Sequence, residues 1–127
     1  MLIFGHKDIE SPNFVRVTNL EDISKTTPKD IILLEGMDES FDIAKHCFEN
    51  SLIWAIVANS IKDAIYANAL NVSYIIADFD KAKEVQSIAN EYLWDAKILT
   101  PIGSDKELAS VAKAGVDGVI FKFQYKG

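Results

Sequence analysis

The chain has 127 residues, 49% of them hydrophobic and 25% charged, which is enough for one domain with a buried core and too little for two. Thirteen Lys and Arg against nineteen Asp and Glu give a formal charge of -6, which repels nucleic acid and anionic lipid unless a local basic face overrides it. No such face is visible, because Lys81 and Lys83 stand among Asp78, Asp80 and Glu84, and Lys122 and Lys126 are too few for a nucleic-acid groove.

No apolar run approaches the roughly twenty residues of a membrane span. The opening MLIFGHKDIESP lacks a basic flank and a small-residue cleavage site. The single cysteine, Cys47, cannot form an intramolecular disulfide and fits a reducing compartment. A cytoplasmic location is therefore expected, with no membrane and no nucleic-acid partner.

In chain order, Leu2-Ile3-Phe4 is a short apolar run closed by Gly5, and GHKDIESPN reads as a loop. Phe14 to Val17 alternates as a strand does, and Thr18 or Asn19 can cap a brief helix over LEDISK. Residues 1–29 thus form an N-terminal portion of strands and one short helix. From Asp30 to Phe123 the pattern becomes regular. Apolar runs at Ile31–Leu34, Ile53–Val57, Tyr74–Ala77, Ile98–Leu99 and Val119–Phe121 are separated by segments of helical period, the pattern of parallel strands buried on both faces.

The helical stripes are Phe41, Ala44, Cys47 and Phe48; Ile61, Ala64, Ile65 and Asn68; Val85, Ile88, Ala89 and Tyr92; and Leu108, Val111 and Ala112. Ser60 and Ser104 are expected N-caps, the second in a capping box with Glu107, while Asn71 and Gly115 suit left-handed helix ends. Ser60–Asp78 also aligns with Ser104–Lys122 without a gap, a faint internal repeat. The expected fold is a single α/β domain over 1–127: a mainly parallel open sheet with helices on both faces, or alternatively a (βα) half-barrel.

Ligands of such sheets gather at the carboxyl ends of the strands, here Glu35-Gly36, Asn59-Ser60, Asp78-Phe79-Asp80, Thr100-Pro101 and Lys122. Glu35, Asp78, Thr100 and Lys122 form the candidate rim site. Its carboxylates Glu35 and Asp78 are candidate ligands for Mg2+, and its hydroxyl and ammonium could stabilise a phosphoryl group. His6, His46 and Cys47 lack metal-ligand spacing, and no nucleophile elbow, GxGxxG or P-loop occurs.

The order of strands and helices from Ile31 to Phe123 resembles a response-regulator receiver domain of flavodoxin-like fold. Thr100 followed by AGVDGVIFK ending in Lys122 is similar to that family's hydroxyl residue and later lysine. Asp78 in YIIAD resembles its phospho-acceptor, and Glu35 in ILLEG stands where the family has an acidic pair for the metal. Gly36 replaces the second acid and Phe123 the proline after the lysine. The resemblance then implies a receiver-like domain that acts through protein–protein contact rather than as a working phospho-acceptor or enzyme.

ELASVAKAGVDGVIF also resembles a helix-strand unit of phosphate-binding (β/α)8 barrels. That implies a small-molecule or phosphometabolite-binding domain, a half-barrel whose inner face a second copy would cover and which could retain chemistry at Glu35, Asp78 and Lys122. The alternating Phe121, Phe123 and Tyr125 offer a further surface for a homodimer or a protein partner.

Overall fold

The computed structural model describes residues 1–122. Seven strands alternate with helices in the order β1 (Leu2–Phe4), β2 (Asn13–Arg16), α1 (Leu20–Ile23), β3 (Asp30–Glu35), α2 (Phe41–Glu49), β4 (Trp54–Val57), α3 (Ile61–Ala69), β5 (Tyr74–Ile76), α4 (Phe79–Tyr92), β6 (Lys97–Ile102), α5 (Leu108–Ala114) and β7 (Gly118–Phe121). A single 3-10 turn, Asp105–Glu107, leads into α5.

The helix ends follow from their sequences. The Asn19 side chain accepts the N–H of Asp22, and the Ser60 hydroxyl accepts that of Asp63. Ser104 and Glu107 form the capping box. Asn71 at φ 61 and Gly115 at φ 78 occupy the left-handed region just past α3 and α5. Leu93, at φ 55, closes α4 in the same way despite its side chain.

All strand pairs are parallel, in the order β1-β7-β6-β5-β4-β3-β2. Strands β3 to β7 are therefore neighbours in chain order. The receiver plan would instead place its strands 2-1-3-4-5, and no reversal of that kind exists between β3 and β7. Each βα unit simply lays its strand beside the last.

One paired row runs from Glu35 through Val57, Ile76, Leu99 and Gly118 to Leu2. It starts at the carboxyl end of β3 and finishes at the amino end of β1, so the strands are staggered. Stagger of this hand-over kind is what lets a sheet curl toward closure. The sheet remains open between β1 and β2, yet it curls until Phe4 and Phe14 meet across that seam with ring centroids 5.2 Å apart.

Strand alternation sorts the core into two layers. Ile31, Leu33, Ala55, Ile76, Leu99 and Ile120 face inward with Phe4 and Phe14. Ile32, Leu34, Ile56, Ile75, Ile98 and Val119 face outward under Ala44, Cys47, Ala64, Ala67, Val85 and Val111 of the helices. Every described helical residue of the core lies in that outer layer, and the inner layer is built from strand residues alone. The sheet is open, as expected, and strongly curled into the half-barrel alternative, with the buried residues of the described helices packed on its outer face. The rings of Phe4, Phe14 and Tyr74 pack against one another within the inner face.

Three helical stripes are rotated from their expected positions. In α2 the buried residues are Ile43, Ala44 and Cys47, and Phe48 turns outward. In α3 they are Asp63, Ala64 and Ala67, and Ile65 is exposed. In α4 they are Ala82, Val85, Gln86 and Ala89, and Tyr92 is exposed. Small side chains set the sheet-facing line because the curled sheet leaves little depth beneath each helix. Trp54 is buried, as expected, with its indole N–H donating to the Leu70 carbonyl at 3.2 Å. Phe123 and Tyr125 lie outside the described residues.

Candidate functional site

Because every strand runs the same way, all carboxyl ends open at one mouth. Alternation then decides which rim residues look into it. Counting by twos from the inward Leu33, Glu35 at the end of β3 faces the mouth, while Asp78 and Lys122 stand on the rim just past the ends of β5 and β7. Arg16, two residues after the inward Phe14, joins them. Thr100 does not. It follows the inward Leu99 and so faces the helix layer, fully buried, and its hydroxyl oxygen has no partner among the described residues.

Glu35, Asp78 and Lys122 ring the mouth without converging. Glu35 ends β3, and Asp78 and Lys122 follow β5 and β7, so each is separated from the next by a whole strand, a spacing of about 10 Å at ordinary strand separation. Glu35 reaches Arg16 on β2 at 3.8 Å. Asp78 is the N-cap of α4, its Oδ1 accepting the Lys81 backbone N–H at 3.1 Å.

Lys122 stands near Glu107. The Glu107 carboxyl is held below the usual glutamate range chiefly because it accepts the Gly103 backbone N–H, at 2.6 Å, and then that of Ser104, at 3.0 Å. The nearby Lys122 charge adds to that lowering.

The donor set does not fit the Mg2+ that Glu35 and Asp78 suggest. The two carboxylates lie two strands apart, and no group of three or more His, Cys, Asp or Glu side chains among the described residues comes together to hold a metal ion. No step is therefore routed through a metal.

A further buried acid is structural. Asp63, 5% exposed, accepts the Met37 backbone N–H at 3.1 Å and that of Asn59 at 2.9 Å. It ties the loop after β3 to the loop after β4. The same loop holds Gly36 at φ 66, where an added Cβ would stand 3.1 Å from the Asn59 amide nitrogen.

At the carboxyl ends of β4, β5 and β6 lies a cavity of about 250 Å³, smaller than the cleft of about 580 Å³ lined by Ile31, Ile53 and Tyr74. Val57, Ile76 and Pro101 form apolar walls, and Asn59, Asp78 and Lys81 supply the polar groups. Among the described residues the Asn59 side-chain amide, Asp78 Oδ2 and the Lys81 ammonium have no hydrogen-bond or ion-pair partner. The structure thus joins one rim residue of the sequence-based site, Asp78, to Asn59 and Lys81. Asn59 is visible in the sequence as a strand end. Lys81 is marked only by lying three residues after an aspartate that caps a helix.

Cys47 takes no part in this chemistry. It is buried in the helix layer, and burial pushes its thiol up to about 11. No family model matches the chain, and a search among curated proteins finds no relative.

Proposed function

We propose that the protein is a non-catalytic, small-molecule-binding domain whose ligand sits in the carboxyl-end cavity between β4, β5 and β6. One observation carries this reading. Around that cavity the solvent-exposed Asn59 amide and Asp78 Oδ2 and the partly exposed Lys81 ammonium have no protein partner among the described residues, whereas Glu35, Asp63 and Glu107 are engaged in ion pairs or loop hydrogen bonds. Free polar groups converging over an apolar wall are what a ligand site needs for orientation and affinity. Engaged carboxylates are poorly placed to move protons, so binding rather than catalysis fits the rim.

A thermal-shift panel of small amino acids, carboxylates, amines and phosphates tests it. At least one class should raise the melting temperature with the concentration dependence of a native-state ligand. Lys81→Ala should remove that rise while leaving the unliganded melting temperature nearly unchanged, since the Lys81 side chain makes no described contact that folding needs. A flat panel would overturn the proposal.

The receiver-like reading survives only as an interaction domain. Thr100 faces away from the mouth, and Asp78 and Lys122 sit two strands apart, so phosphoryl acceptance at Asp78 draws no support from their placement. A protein-contact role is favoured by one surface. On neighbouring helices α2 and α3, Phe48, Ile65 and Tyr66 are 46%, 48% and 45% exposed, and the Phe41 ring lies 5.6 Å from that of Tyr66. If that surface binds a second copy, sedimentation should depend on protein concentration, and Phe48→Ser with Ile65→Ser should abolish the dependence.

A further inference from the structure

We infer that the carboxyl-end cavity takes a small zwitterion, a molecule carrying one ammonium, one carboxylate and a short apolar group, as an α-amino acid does. The inference rests on the reading of this cavity as a ligand site and names the class of ligand.

Charge decides the class. The cavity is lined by one acid, Asp78, and one base, Lys81. The free Oδ2 of Asp78 can accept from a ligand ammonium, and the Lys81 ammonium can donate to a ligand carboxylate. Asn59 offers a donor and an acceptor to either end. The nearest other charged pair on the rim, Arg16 and Glu35, is 3.8 Å apart and cancels its own field at a distance. A ligand with a single charge would meet only one of the two lining charges, whereas a zwitterion can meet both.

Phosphorylated ligands are disfavoured by the same groups. The N-terminus of α4 could in principle receive a phosphate. Here the Asp78 carboxylate already occupies that place by accepting the Lys81 N–H at 3.1 Å. A dianion would have to approach that carboxylate directly, and like charges in contact repel.

Size and shape agree. A volume of about 250 Å³ is small for a ligand pocket and suits a molecule of amino-acid size. Val57, Ile76 and Pro101 present one continuous apolar wall, because Val57 pairs with Ile76 in the sheet and Pro101 stands two residues beyond Leu99, the partner of Ile76. An aliphatic side chain would lie on that wall while the charged ends reach Asp78 and Lys81.

The experiment is a two-dimensional amide NMR titration of the full chain with L-valine, isobutylamine, isovalerate and inorganic phosphate, the last three being its singly charged or phosphate counterparts. L-Valine should shift the amides of Asn59, Asp78 and Lys81 and bind about tenfold or more tightly than any of the others, a difference of about 1.4 kcal/mol. Asp78→Asn keeps the helix cap, since asparagine caps as well as aspartate, and should weaken valine binding while leaving isovalerate binding intact. If isobutylamine, isovalerate or phosphate binds the same amides as tightly as valine, the zwitterion class is wrong and the site stands. If none of the probes shifts those amides at millimolar concentration, the zwitterion class is overturned. The wider thermal-shift panel decides separately whether the cavity binds small molecules at all.

Discussion

Asp63 and Met37, 26 residues apart in sequence, are joined by a buried hydrogen bond of 3.1 Å from the Met37 backbone N–H to Asp63 Oδ1. The other carboxylate oxygen takes the Asn59 N–H at 2.9 Å. One side chain on α3 therefore fixes two loops of the mouth, including the loop that presents Asn59. Asp63→Ala would leave both N–H groups without their acceptor and should destabilise the fold by roughly 2–4 kcal/mol. Urea unfolding measures it, and a loss below about 1 kcal/mol would mean that water replaces the carboxylate at no great cost.

Thr100 should respond in the opposite sense. Its hydroxyl is buried without a partner, so Thr100→Val removes a desolvated polar group and keeps the branched shape. A gain of about 1 kcal/mol in urea unfolding is expected, with ligand binding unaltered. A loss would show that the hydroxyl does form a bond that matters.

Gly118 marks the tightest strand contact. A Cβ there would stand 2.6 Å from the Leu2 carbonyl oxygen, 2.7 Å from Leu2 Cβ and 2.8 Å from Leu99 Cδ2. Gly118→Ala must push β1 away from β7 and should cost roughly 1–3 kcal/mol. Hydrogen exchange offers a local readout, since the amides of Leu2 and Phe4 should lose protection before those of β4 and β5.

Glu107 predicts a pH effect with a definite sign. Its carboxyl is held below the usual range in the folded chain, first by the Gly103 N–H and then by that of Ser104. The stability it contributes is therefore complete above the ordinary glutamate range and is lost as pH falls through the lowered folded value. Glu107→Gln should make the acid limb of the stability curve shallower. Lys122→Met should shift the Glu107 titration upward in a carbon-detected NMR series, because the Lys122 charge contributes to the lowering.

The elements themselves were plain in the sequence. The apolar runs at Ile31–Leu34 and Tyr74–Ala77, the serine caps at Ser60 and Ser104, and the stop at Gly115 all correspond to strands and helix ends of the structure. Strand order was not, because a buried run such as Ile98-Leu99 is apolar on both sides whichever strands flank it. The same limit applies to Thr100, since a two-residue apolar run does not say which face the next residue takes. In α3 and α4 the expected stripes failed where a polar residue, Asp63 or Gln86, turned inward. Asp63 is buried to serve the loops, and that rotation leaves Ile65 outside. The role of Lys81 depends on the curl of the sheet, which periodicity does not reveal, as well as on α4 starting directly after Asp78.

The central claim is that the functional surface is the mouth formed by Asn59, Asp78 and Lys81. Its most direct test is a map of amide chemical-shift changes, over all assigned residues, produced by the compound that most stabilises the protein. The account predicts that the largest changes cluster at Asn59, Asp78 and Lys81, with smaller ones at Val57 and Ile76. Changes centred instead on Phe48, Ile65 and Tyr66, or on the cleft of about 580 Å³ that Ile31, Ile53 and Tyr74 line toward the amino ends of the strands, would contradict it.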